Sequence, residues 1–131
     1  MNGEIAMKKS GKKNAPEKSA LIENLKKGMT ELLVLNALDI RPMYIYELIQ
    51  EVNVDIPEKC RIAYPYAAFY RLIEAKCITE SGKKNADDRL RTYYKITEKG
   101  RKRLKSMKDD YALFTGAVDS IMKRSEEKKN A

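Results

Sequence analysis

Between residues 29 and 38 the side chains Met29, Leu32, Leu33, Asn36 and Ala37 recur at steps of three and four, and Leu35 and Leu38 widen the stripe. That spacing predicts a largely buried amphipathic helix. A shorter helical stretch, Ser19 to Lys27, precedes it and is expected to end at Gly28, since glycine takes the left-handed position that closes many helices. Arg41-Pro42 breaks the pattern, because the residue before proline avoids helical geometry while proline suits a first helical turn. The next helix is expected from Pro42 to Val52, with Ile45, Leu48, Ile49 and Val52 inward and Glu47 and Glu51 outward. A stretch with little pattern follows from Asn53 to Ala63. The helix after it, Tyr64 to Lys76, turns Ala68, Phe69, Leu72, Ile73 and Ala75 to the core and leaves Tyr66, Tyr70 and Arg71 toward another face.

The period then changes. Leu90, Thr92, Tyr94 and Ile96 alternate with Arg89, Arg91, Tyr93 and Lys95, which predicts a strand with one apolar and one basic-aromatic face. Ile78 to Ser81 is its expected hairpin partner, with Gly82 to Asp88 as a polar loop between them. Thr97 offers an N-cap oxygen and Glu98 a negative charge at the positive end of a last, long helix. In that helix Leu104, Met107, Tyr111, Phe114, Val118 and Ile121 follow one another at steps of 3, 4, 3, 4 and 3, a heptad seam. A seam this apolar does not stand alone in water, so it is expected to pair with a second copy of the chain, intrachain packing being the alternative. Gly116 within it costs about 1 kcal/mol relative to alanine unless close helix approach compensates.

The order of elements predicts a mainly α (α+β) domain: a winged helix-turn-helix with a two-stranded β-hairpin wing and a long C-terminal helix. Its expected divisions are a disordered basic arm over 1–18, the winged domain over 19–98, a dimerisation helix over 99–125 and a disordered tail over 126–131. A chain of 131 residues supports one such core.

Charge adds a partner to this picture. The net charge of +8 is uneven: residues 79–105 hold ten basic and four acidic side chains, whereas residues 21–78 hold seven and eight. A local excess of that density attracts a polyanion and releases its counterions, although a solvated face without a partner has the same composition. The lysines of the arm, from Met7 to Pro16, either touch phosphates or keep the chain soluble.

Missing residue types exclude most enzyme classes. Histidine is absent, which removes the commonest general base, the histidine-dependent triads and nearly every mixed zinc site. Cys60 and Cys77 cannot close a tetrahedral metal shell and, lacking a histidine partner, are expected to be reduced and structural. The carboxylate pairs Asp87-Asp88 and Asp109-Asp110 point apart and have no supporting ligands, so neither metal nor cofactor is expected. The longest apolar run, Tyr66 to Tyr70, is far short of a membrane span, and Met1 to Ala20 lacks the apolar core of a secretory signal, so a cytoplasmic protein is expected.

Four segments carry a resemblance to the PadR family of bacterial transcriptional regulators. Leu25-Lys-Lys-Gly-Met-Thr-Glu-Leu-Leu-Val-Leu35 resembles the family's opening helix, and Pro42-Met-Tyr-Ile-Tyr-Glu-Leu48 is similar to its Pro-Met-Tyr-Gly-Tyr-Glu-Ile segment. Tyr66-Ala-Ala-Phe-Tyr-Arg-Leu72 stands where the family has Tyr-Pro-x-Leu-x-Arg-Leu, and Arg91-Thr-Tyr-Tyr-Lys-Ile-Thr-Glu-Lys-Gly100 resembles the end of its wing and start of its last helix. Two positions depart from the pattern. Ile45 replaces the usual glycine, and Ala63-Tyr64-Pro65 takes the place of the Gly-Thr-Leu that commonly opens the recognition helix, so base preference does not transfer.

The resemblance implies a homodimeric, sequence-specific regulator, expected to repress, that binds double-stranded DNA at a pseudo-palindromic operator. Tyr64, Tyr66, Tyr70 and Arg71 are then candidates for the major groove, and Lys83, Lys84, Arg89, Arg91 and Tyr93 for the backbone or a minor groove. Leu104, Met107, Tyr111, Phe114, Val118 and Ile121 are the candidate dimer interface, and by the same resemblance Met107, Tyr111 and Phe114 are candidates to line a cavity for a small aromatic effector. The rival reading is a winged-helix module that binds an acidic protein instead of DNA.

Overall fold

A computed structural model describes residues 19–131; the basic arm expected over 1–18 lies outside the described residues. Helix α1 spans Ala20–Leu38, opened by Ser19, whose hydroxyl accepts the Ile22 N–H at 3.3 Å. The expected break at Gly28 does not occur: the two predicted helices are one. The intrinsic cost of a mid-helix glycine, about 1 kcal/mol, is too small to end a helix whose flanking residues all favour it. The buried stripe is also rotated from the predicted one. Leu35 and Leu38 lie at its centre with Val34 and Ala37, while Asn36 faces solvent.

Pro42 opens no helix. Met43 is extended and exchanges two backbone hydrogen bonds with Tyr94, at 3.0 and 2.9 Å, so α2 begins later and spans Ile45–Val52. The segment after α2 carries a single 3-10 turn, Glu58–Cys60, and is held by Asn53. Its side-chain amide donates to the Ile49 and Ile62 carbonyls and its oxygen accepts the Ile62 N–H, all at 2.8 Å, so this buried polar group is satisfied. Helix α3 spans Tyr66–Glu74, preceded by the buried Pro65 and burying Ala68, Phe69 and Leu72. It ends in a Schellman arrangement: Cys77 N–H bonds to the Leu72 carbonyl, Lys76 N–H to the Ile73 carbonyl, and Lys76 takes a left-handed φ of 64°.

Strands β1, Ile78–Ala86, and β2, Arg89–Ile96, form an antiparallel hairpin. Here the sequence reading fell short, because the expected loop Gly82–Asp88 is mostly strand. The pairing continues from Gly82–Tyr93 to Ala86–Arg89 and closes in a two-residue turn, Asp87-Asp88, with φ of 53° and 63°. Aspartate tolerates that left-handed geometry, which two-residue hairpins require. A bulge between Glu80 and Gly82, with Gly82 at φ 134°, bends the ladder where the core ends. Beyond it the alternation persists without burial: Leu90, on the predicted apolar face, is 64% exposed.

Helix α4 spans Glu98–Lys129. It therefore runs through most of the stretch expected to be a disordered tail. Its first turn fits tightly against the link between α3 and β1. Thr97 N–H bonds to the Cys77 carbonyl at 2.9 Å; the Thr97 hydroxyl donates to the Lys76 carbonyl at 2.8 Å and accepts Gly100 N–H at 3.0 Å. Gly100 itself lies against the Cys77 carbonyl, and a Cβ there would overlap that oxygen and press on Ile96.

Two of the helical glycines, Gly100 and Gly28, thus predict opposite outcomes. Replacing Gly100 by alanine should destabilise the fold by about 2 kcal/mol, since the obstacle is backbone. Replacing Gly28, whose Cβ would meet nothing within 4 Å, should stabilise it by about 0.5–1 kcal/mol. Urea unfolding of the two variants beside the parent measures both.

Candidate nucleic-acid interface

The outer side of α3 and the segment leading into it carry three exposed tyrosines. Tyr64 is 84% exposed, with its ring 6.5 Å from that of Tyr66, and Tyr70 packs edge-on against Phe69 at 5.8 Å. Each follows from local structure. Pro65 fixes the entry to the helix, Phe69 and Leu72 commit one face to the core, and positions 66 and 70, one turn apart, fall opposite.

Arg71 has a different setting from the tyrosines. Its Nε donates to Glu31 at 3.1 Å, and the other oxygen of Glu31 accepts from Arg103 at 2.9 Å. Glu31, with a side chain only 18% exposed, thereby joins α1 to α3 and α4. Arg71 is first of all a strut for α3, and neither Glu31 nor Arg103 carried a sequence signal for this, since Glu31 lies 40 residues from Arg71 and 72 from Arg103.

On the wing the predicted basic-aromatic face exists, but its members stack on one another. The Arg91 guanidinium rests over the Tyr44 ring at 4.9 Å, Tyr44 meets Tyr93 edge-on at 5.4 Å, and Lys84 sits over Tyr93 at 4.5 Å. The Tyr44 hydroxyl donates to Asp87 in the turn. Lys83 and Arg89 are exposed and form no ion pair among the described residues. The hairpin therefore presents two kinds of cation: Lys84 and Arg91 laid on rings, and Lys83, Arg89 and Lys95 open to solvent.

The heptad positions also divide. Leu104 is in the core of its own chain and Met107 packs against that core, so these two candidates for a dimer contact are engaged internally. Tyr111, Phe114 and Ile121 are exposed, Phe114 by 70%, and Val118 is half-buried. Leu113 and Met122 widen the exposed apolar surface of α4. Both cysteines are free thiols, Cys77 buried and Cys60 half-buried. Among the described residues no three potential ligands cluster as a metal site, and no helix is long and apolar enough to cross a membrane.

Residues 34–106, more than half of the chain, match the model of the transcriptional regulator PadR-like family. This protein belongs to the PadR-like family. It is thus a DNA-binding transcriptional regulator and not an enzyme. A PadR-like transcriptional regulator from Bacillus cereus has the same fold, with a TM-score of 0.65 and 24% identity over 76% of this chain and 96% of that one. A transcriptional regulator from Clostridium thermocellum aligns with a TM-score of 0.65 and 24% identity over 74% and 96% of the two chains. A PadR family regulator from Clostridium difficile does so with a TM-score of 0.60 and 20% identity over 72% and 99%. No curated protein matches the sequence.

In this PadR-like regulator Tyr44 is the site residue that sequence reasoning missed. The hydrogen bond to Asp87, with desolvation second, pushes its pKa from 10.0 up to about 12. Burial raises that of Tyr94 as well, with Glu80 adding to it. A raised value means that the folded chain keeps a proton the unfolded chain has lost. The associated stability is complete below about pH 10 and disappears as pH rises through about 12. Ultraviolet titration should show a phenolate forming near pH 12, and Tyr44→Phe should remove it together with part of the alkaline loss of stability.

Proposed function

We propose that this PadR-like regulator is a homodimeric, sequence-specific repressor whose α3 enters the major groove while its hairpin lies along the backbone or an adjacent minor groove. The observation that carries the reading is the pairing of an exposed tyrosine face on α3 with a hairpin whose Lys83 and Arg89 are free for phosphates. Tyr64, Tyr66 and Tyr70 are the readers of base edges. Arg71, held by Glu31, keeps α3 seated and reaches the duplex only with what remains free of its guanidinium. Lys83 and Arg89 take phosphates, and Lys84, Arg91 and Tyr93 form the stacked support behind them.

The dimer rests on α4 beyond Met107, where Tyr111, Phe114, Val118 and Ile121 continue the seam outside the core. A second copy is the simplest cover for it. Two-fold symmetry then sets the recognition helices about 34 Å apart on a pseudo-palindromic site, and a protein seated across both half-sites blocks access to that duplex. The aromatic rings of Tyr111 and Phe114 at the dimer seam suit a small planar aromatic compound, which would release the protein by changing the spacing of the two halves. Family membership favours DNA over the rival acidic-protein partner.

Selection of bound duplexes from a random pool at physiological salt tests the reading. A two-fold symmetric winner, repressing a reporter that carries it, is the expected result; enrichment without symmetry would remove the dimer. On that winner Arg89→Ala should weaken binding to every sequence alike and lower the salt slope by about one. Tyr66→Ala or Tyr70→Ala should instead change which bases are preferred. Titration with planar aromatic compounds, followed by tyrosine fluorescence and duplex affinity, checks the effector; no change in either quantity rejects it.

A further inference from the structure

We propose that Tyr44 is a positioning residue for DNA binding: paired with Asp87, it holds the tip of the wing at a fixed setting relative to the recognition helix without touching DNA itself. The proposal rests on the wing lying against the duplex. It concerns a mechanical weakness of the hairpin. Beyond the bulge at Gly82 the strands leave the core, Leu90 on the core-side face is exposed, and an isolated two-stranded ribbon is at best marginally ordered in water. Something other than core packing must fix the tip.

Tyr44 is placed to do so. Met43, its neighbour, is locked to Tyr94 by two backbone hydrogen bonds, so the Tyr44 backbone is anchored at the base of β2 and at the start of α2. From there the side chain reaches along the outer face of the hairpin to Asp87, 43 residues on in the chain and inside the turn itself. On the way its ring carries the Arg91 guanidinium and meets Tyr93. The tip is thereby tied to the helical body on the face opposite the core. The same contact gives an acidic turn a place in a phosphate-binding wing. Two free carboxylates at the tip would repel the duplex, whereas Asp87 is drawn back onto a phenol, leaving Lys83 and Arg89 to meet phosphates.

The test compares Tyr44→Phe, Asp87→Gly, Asp87→Asn and the Tyr44→Phe/Asp87→Gly double variant. Glycine removes the acceptor but accepts the positive φ; asparagine keeps both an acceptor oxygen and the turn geometry. Two quantities are read: amide hydrogen exchange over residues 83–91 in the free protein, and affinity for the preferred duplex with Arg89→Ala as control. Tyr44→Phe and Asp87→Gly should each speed exchange at the tip and weaken binding about fivefold, the double variant should lose no more than either single one, and Asp87→Asn should stay within about twofold of the parent. Far-ultraviolet circular dichroism identical to the parent's checks that each variant is folded.

Unchanged exchange in Tyr44→Phe would overturn the tether. Faster exchange with unchanged affinity, while Arg89→Ala still weakens binding, would overturn its role in DNA binding alone. If Arg89→Ala were also without effect, the wing reading would fail and the proposal with it. Additive losses in the double variant, or an Asp87→Asn as weak as Asp87→Gly, would show that the two residues act separately or through charge, and would equally overturn it.

Discussion

The contact between the Gly100 backbone and the Cys77 carbonyl fixes the geometry on which the rest of this regulator depends. Four elements end or begin within a few residues of it. Helix α3 ends at Glu74, strand β1 starts at Ile78, β2 ends at Ile96, and α4 starts at Glu98. Thr97 joins them by bonding to the Lys76 and Cys77 carbonyls and capping its own helix at Gly100. Helix α3, the hairpin and the long helix that carries the exposed seam are therefore joined at one point. Glu31 adds a second tie between the same helices through Arg71 and Arg103.

The protein uses its basic residues in three ways, which its net charge of +8 does not separate. Arg71, Arg101 and Arg103 pair with carboxylates of α1 and its C-terminal cap and so join helices to one another. Arg91 and Lys84 lie on aromatic rings, where a cation adds order to a thin hairpin without losing its charge. Lys83 and Arg89 remain in water. Lys95, Lys99 and Lys102 are likewise exposed and outside any ion pair among the described residues, so about half of the ten cations over residues 79–105 are engaged within the protein and the rest face solvent.

Much of this was legible in the sequence, and the gaps have physical causes. The change from helical to alternating period located the wing, the Thr97-Glu98 pair marked the start of the last helix, and the segments around Pro42, Arg71 and Arg91 carried the family likeness. Gly28 was misread because a helix end requires a left-handed residue, not merely a glycine, and α1 continues straight through. Conversely, Lys76 takes the left-handed position with no sequence mark at all. The heptad spacing could not say where the core stops: Leu104 and Met107 belong to the chain's own interior and the later positions do not. Tyr44 and Glu31 were invisible because their roles come from partners 40 or more residues away in the chain.

A seven-residue loop holding Lys83 and Lys84, as the sequence suggested, would be an open target for a protease that cuts after lysine, because such enzymes bind several residues of unpaired, extended chain. In the folded protein both lysines are committed to a ladder, opposite Thr92 and Arg91. A highly charged, exposed projection is thus protected from cleavage by its own strand pairing. It loses that protection whenever the tip unpairs, so susceptibility to digestion at these lysines is a direct gauge of how often the wing opens.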